Sequence, residues 1–259
     1  KKSYYWENEN SQAGGAVESG NNGNSGFSLE PFPRMCYDKH GSVNSMEQFS
    51  RTISLVGQEA FDRVHRARVA VFGVGGVGGY VCEALVRSGI AEIDLFDRDD
   101  VSISNLNRQI IALHSTIGQD KVDAMAARLK DINPDVRVNC RKMFYLPATA
   151  DEVDLSVYDF VVDAVDTIAA KLELARRCEQ GGIRFISSMG AGNKLDPSCL
   201  RIADITKTSV CPLARAMRVS CKKKGIRHMT VALLWLYRWL NTSSSAMVIR
   251  HTIPERCRR

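Results

Sequence analysis

A chain of 259 residues that is 44% hydrophobic can bury one sizeable α/β core with a small appendage. Its net charge of +6 comes largely from residues 229–259, with five arginines and one glutamate, while residues 1–45 hold four basic and five acidic side chains, so the overall balance is no argument for nucleic acid. None of the eight cysteines is spaced C-x-x-C, which excludes a ribbon-type zinc site, and the longest apolar run, residues 231–237, is too short to cross a bilayer. Free thiols in a reducing, cytoplasmic setting are the default that follows.

Residues 1–45 are rich in Gly, Asn, Ser and Glu without apolar periodicity and predict a disordered leader, with Met46 a candidate initiator. Residues 69–72 then predict a strand, residues 76–88 a helix ended by Gly89, and residues 93–97 a second strand. A helix over 117–132 runs into Asn133-Pro134, and residues 136–140 make a third strand. Residues 158–163, with Phe160, Val161 and Val162 in succession, suit a strand covered on both faces. Thr167 caps a helix to residue 180 that Gly181-Gly182 ends. Strands over 183–187 and 200–205 follow, and a helix over 212–224 stops at Gly225. This alternation predicts an α/β fold over residues 46–231: a doubly wound, mostly parallel sheet with a Rossmann-like nucleotide-binding half. Residues 232–259 hold two Trp and a Tyr within five residues, a serine run and an arginine-rich end. They match no strand or helix pattern and read as an altered or truncated terminus.

The chemistry starts at the first strand's end. Gly73, Gly75 and Gly78 spell G-x-G-x-x-G, Gly76 adds another glycine, and Asp97 lies 19 residues beyond Gly78. The first glycine allows a tight turn, the second lets backbone approach a phosphate, and the third lets helix pack on strand. Phosphate oxygens then meet the unpaired N–H groups and positive dipole of the helix N-terminus, and Asp97 accepts ribose hydroxyls. Binding of an adenine nucleotide follows, either NAD or ATP. Asn105, Arg108, Gln109 and Lys121 next gather amides, a guanidinium and an ammonium past the second strand. Hydride transfer needs few cations there, whereas nucleotidyl transfer builds charge on the α-phosphate and pyrophosphate and does need them. Asp166, just after the strand at 158–163, suits Mg²⁺ bound together with substrate phosphates, or else the N-cap of the following helix.

Taken together, these residues resemble the ubiquitin-activating-enzyme-like adenylating superfamily over about residues 46–230. The resemblance implies that Gly73, Gly75, Gly76, Gly78 and Asp97 hold ATP. It implies that Asn105, Arg108, Gln109 and Lys121 contact phosphates, and that Asp166 serves the metal. Arg51 matches an arginine that this family sends into the site, often from the other subunit of a homodimer. Residues 186–197 (ISSMGAGNKLDP) and 204–214 (DITKTSVCPLA) look like the branch that dehydrates threonylcarbamoyladenosine in tRNA. By that resemblance, ATP adenylates the modification's carboxylate, its own carbamoyl group closes the ring, and AMP leaves. Ring closure is intramolecular, so no covalent enzyme intermediate is needed. A sulfur-relay protein stays open as a further partner.

Several alternatives remain at this stage. Cys211 is either a nucleophile, as in thioester-forming members, or a buried hydrophobe. Arg215, Arg218 and Lys222 recur at helical spacing and make either a phosphate-binding face or a solvated one. The activity itself has two rivals: adenylation of a sulfur-carrier protein's C-terminus, or a NAD-binding regulator or dehydrogenase.

Overall fold

Short β-branched runs alternating with amphipathic helices build one seven-stranded sheet, in the order β3-β2-β1-β4-β5-β7-β6. The structure, a computed structural model, describes residues 46–191, 197–209 and 211–234. The leader at 1–45, most of the terminus at 232–259 and part of the stretch at 186–197 lie outside those residues.

Two short helices, α1 (Ser50–Val56) and α2 (Gln58–Arg66), lead into β1 (Arg68–Phe72). Helix α3 (Gly78–Arg87) and β2 (Glu92–Phe96) follow, then α4 (Lys121–Ile132) and β3 (Arg137–Arg141). The second half consists of β4 (Phe160–Asp163), α5 (Ile168–Gly181), β5 (Arg184–Ser188), β6 (Leu200–Asp204), α6 (Pro212–Lys224) and β7 (Thr230–Leu234). All neighbours pair in parallel except β6 with β7, whose connection returns the chain in the opposite direction.

Burial explains the arrangement. Val69 and Val71 face one layer with Val86 of α3 and Leu129 of α4, whereas Ala70 and Phe72 face the other with Leu174 and Cys178 of α5. Strand β1 is therefore apolar on both sides, as a central parallel strand must be. A third cluster joins Leu172 and Ala175 of α5 to Met217 and Cys221 of α6, and to Val231 and Leu233 of β7.

Several boundaries differ from the sequence expectation. The helix foreseen from residue 117 begins at Lys121, because Gly118 is left-handed and residues 114–116 form a separate 3₁₀ turn. The strand foreseen from 158 begins at Phe160, with Tyr158 instead donating its hydroxyl to the buried Asp94. The domain boundary set at 231 falls inside β7. That strand runs to Leu234 and pairs on both sides, so residues 232–234 belong to the sheet. Among the described residues no helix is long and apolar enough to cross a membrane.

Helix α5 is held to the preceding loop by charge. Buried Glu173 accepts from Arg176 and Arg177, and Arg177 also reaches Asp151 at 2.6 Å. These guanidinium hydrogen bonds outweigh burial and hold the Glu173 carboxyl down at about 2, against an ordinary 4.5. A carboxyl acid-shifted by folding contributes stability above its unfolded value and loses it as pH falls toward the folded one. Glu173→Gln is accordingly expected to destabilise at neutral pH and to flatten the loss of stability between about pH 4.5 and 2. Urea unfolding across that range checks this, and an acid limb parallel to wild type would contradict it.

Candidate nucleotide site

The strand order reverses direction between β1 and β4, and a crevice of about 700 Å³ opens there at the carboxyl ends of the strands. Phe72 and Phe96 stack at its base with ring centroids 4.2 Å apart, and Tyr145 meets Phe72 edge-on at 4.9 Å. Phe144, with Arg98 over its ring at 3.8 Å, adds to the wall.

The glycine loop forms the near side. Gly73 turns with φ +89°, and a Cβ there would lie 2.8 Å from the Ala164 carbonyl oxygen. A Cβ on Gly78 would lie 1.7 Å from the Gly73 carbonyl oxygen, so the first turn of α3 sits directly on the loop. A Cβ on Gly75 would meet, among the described residues, only the Gln109 amide nitrogen at 3.7 Å, which leaves backbone open to the crevice. No side chain among the described residues caps α3; its Gly79 N–H donates to the Gly75 carbonyl at 3.0 Å and its Val81 N–H to that of Val77 at 3.1 Å, so what the helix offers an anion is the rest of its first turn and the positive end of its dipole. Asp97 locks the loop: Oδ2 accepts the Val74 N–H at 2.7 Å and Oδ1 the Asp99 N–H at 2.9 Å.

Four sequence-predicted polar residues line the same crevice: Asn105, Arg108, Gln109 and Lys121. Asn105 shapes its own 3₁₀ turn, its Oδ1 accepting the Ser102 N–H at 3.0 Å. Arg108 is exposed and donates to the Ser104 carbonyl at 2.8 Å. Lys121 is buried, with Nζ 2.9 Å from Asp99 Oδ2. Gln109 is buried with an Oε1 that has no partner among the described residues, an acceptor left for a ligand. A cradle of glycines, a helix N-terminus without a side-chain cap, an orphaned amide oxygen and two cations fit a nucleotide polyphosphate.

Asp166 lies exposed at the rim, and the N-cap of α5 is Thr167, so Asp166 is not that cap. Thr167 occupies the cap position without capping: its hydroxyl donates to Asp166 Oδ1 at 3.3 Å and accepts no N–H of the helix. No cluster of three metal-ligating side chains exists among the described residues. One carboxylate beside a phosphate site suits Mg²⁺ that brings most of its ligands from phosphate and water. Arg51, exposed on α1, is not among the residues lining the crevice of its own chain. Cys211 is buried with Met189 and Ala214, which suits the packing role. Arg218 turns inward to donate to Thr208, and so leaves the face proposed for Arg215 and Lys222.

Sequence reasoning missed the knot beneath this rim. Lys171, wholly buried, donates to Asp163 Oδ2 at 3.0 Å, Ser187 Oγ at 3.3 Å and the Ser188 carbonyl at 2.8 Å. Ser187 Oγ also donates to Asp163 Oδ2, and the Val165 N–H to Asp163 Oδ1 at 3.1 Å. Burial pushes the Asp163 carboxyl up, against the opposing pull of Lys171. One ammonium thus joins the ends of β4 and β5, from which the loops carrying Asp166 and Ala191 enter the crevice. A lysine amid Ala169, Ala170, Leu172 and Leu174 was the available signal. Lys171→Met is expected to cost about 3–5 kcal/mol by stranding a buried carboxylate. Adding Asp163→Asn to that variant is expected to recover part of the loss in urea unfolding; equal stability of wild type and Lys171→Met would refute the role.

Comparison with known proteins agrees with this geometry. Residues 49–243 match the ThiF family. A Bacillus subtilis tRNA threonylcarbamoyladenosine dehydratase is 48% identical over 182 residues, 70% of this chain and 72% of the relative. The Haemophilus influenzae enzyme of that name is 38% identical over 70% of this chain and 69% of its own length. Among solved structures, the E. coli tRNA N6-threonylcarbamoyladenosine dehydratase in complex with AMP superposes with a TM-score of 0.70 at 34% identity, over 73% of this chain and 81% of that one. The same enzyme in complex with ATP gives 0.69 at 32% identity, over 79% and 87%. Matched by that family over residues 49–243, most of its length, this chain belongs to the ThiF family.

Proposed function

We propose that this chain is an ATP-dependent tRNA threonylcarbamoyladenosine dehydratase. It activates the carboxylate of that modification and closes it into a ring, with ATP as co-substrate and AMP as product. The observation that carries the reading is one crevice holding both the glycine cradle and the Arg108–Gln109–Lys121 set, in a chain 48% identical to a relative of that activity.

The chemistry follows from need. A carboxylate is a poor electrophile, because its oxygen leaves badly; joined to the α-phosphate, that oxygen departs as AMP. The Gly75 and α3 backbone amides bind phosphate oxygens. Lys121, already buried, exchanges Asp99 for phosphate, and Arg108 swings from the Ser104 carbonyl to neutralise charge as pyrophosphate separates. Asp97 holds the loop and meets the ribose. Asp166 is the residue for Mg²⁺, which when bound supplies further neutralisation of the phosphates. The carbamoyl group of the same modification then attacks the activated carbonyl, and holding both on one nucleoside gives the step its effective concentration.

This reading extends to assembly. A homodimer would bring Arg51 of one copy toward the crevice of the other, and exposed Leu55 and Val56 on the same helix give that surface apolar area to bury. A sulfur-relay protein is a further partner in the same reading.

Purified chain, incubated with ATP and tRNA carrying threonylcarbamoyladenosine, is expected to release AMP in step with modified tRNA consumed. Asp166→Ala is expected to lower that rate at least about 100-fold, the scale of one lost contact to developing charge. AMP released equally well with unmodified tRNA would refute the proposal.

A further inference from the structure

The charge of this protein is sharply divided. Residues 46–196 hold 18 basic and 22 acidic side chains, whereas residues 197–228 hold eight basic side chains and one acid, Asp204. The two parts also differ in how their cations are used. In the first, Arg68, Lys121, Arg128, Lys142, Lys171, Arg176 and Arg177 all sit in ion pairs. In the second, Arg215, Lys222, Lys223, Lys224 and Arg227 are exposed and make no ion pair with any described residue. Asp204 is taken up by Thr206 and His228, and nearby Glu179 accepts the Arg227 and His228 backbone N–H groups.

Helix α6 arranges these charges. Its inner side, Ala214, Met217 and Cys221, packs into the core, which leaves Arg215, Val219 and Lys222 along the outer side at helical spacing. A shallow groove of about 660 Å³ runs there between Arg215 and Ser220. Three lysines in the last turn suit the negative end of the helix dipole, yet their number exceeds what one helix end can use. The first turn is anchored beside the nucleotide crevice. Leu213 lies 3.8 Å from where a Gly190 Cβ would stand, and the next residue, Ala191, lines the crevice wall. Thirteen residues carry the stripe about 20 Å from that point.

We infer that the outer face of α6, with Arg215, Lys222 and Lys223 and extended by Lys224 and Arg227, is the docking surface for the phosphate backbone of the tRNA substrate. The inference rests on the activity proposed above and adds to it the surface that holds the tRNA while one of its nucleosides occupies the crevice. Unpaired cations offer phosphates contacts without first losing an internal partner, and each contact releases counterions.

The test is binding of threonylcarbamoyl-modified tRNA, followed by fluorescence anisotropy over a series of salt concentrations, with AMP release measured alongside. In Arg215→Ala/Lys222→Ala/Lys223→Ala, the slope of log affinity against log salt is expected to fall by about 2–3, and affinity near 0.15 M salt by on the order of 100-fold. ATP affinity is expected to stay unchanged, and Arg215→Lys alone to bind tRNA nearly as wild type does. Unchanged slope and affinity in the triple variant would overturn the inference while leaving the proposed activity standing, provided AMP release continues. Failure of the wild-type chain to bind tRNA would overturn the inference too, and the absence of AMP release would then remove the activity with it.

Discussion

The whole site depends on how closely α3 can approach the end of β1. Gly78 admits no Cβ, because the Gly73 carbonyl oxygen would lie 1.7 Å from it, and Gly73 in turn abuts Ala164 after β4. Three segments thus meet with little between them but backbone and the Ala164 methyl. That contact aims the first amides of α3 at the crevice and brings the Asp166 rim across from the glycine loop. Asp97 fixes the loop from the other side through Val74. A phosphate-binding surface made of backbone needs no side-chain ordering when the ligand arrives, which is why four glycines in six residues are tolerable here despite their entropic cost.

Beneath this lies a second device of a different kind. Lys171, Asp163 and Ser187 are buried where an apolar trio would pack without desolvation cost. What the polar set provides is direction: an ammonium that binds Asp163 and the Ser188 carbonyl defines how the ends of β4 and β5 stand relative to each other. Both ends feed loops into the nucleotide crevice. Stability is spent on geometry at the place where the chemistry requires it.

Much of this was legible in the chain. The glycine spacing, Asp97, the 105–109 cluster and Lys121 all converge on one crevice: the first two follow the plain apolar runs of β1 and β2, and the others lie on the connection from β2 to α4 and at the start of that helix. Helix α6 was foreseen over the residues it occupies, since Pro212 opens it and the left-handed Gly225 closes it. Other features carry no local signal. Phe144 and Tyr145 come from an aperiodic loop, and only the folded chain brings them to Phe72. The antiparallel pairing of β6 depends on the path of its connection, not on its residues. Lys171 is the exception, a lysine amid alanines and leucines, but its partners appear only when β5 is placed beside it. The basic stretch at 215–227 read as either solvated or functional. The packing of α6 separates inward-facing Arg218 from outward-facing Arg215 and Lys222.

The claim at the centre of this account is that nucleotide chemistry in the crevice removes one water from a tRNA nucleoside. The most direct measurement is mass spectrometry of nucleosides digested from threonylcarbamoyl-modified tRNA after incubation with the chain and ATP. The expected product is lighter by one water and forms with ATP but not with an analogue whose α–β phosphate bridge cannot be cleaved. An unchanged nucleoside in the presence of bound and hydrolysed ATP would contradict it.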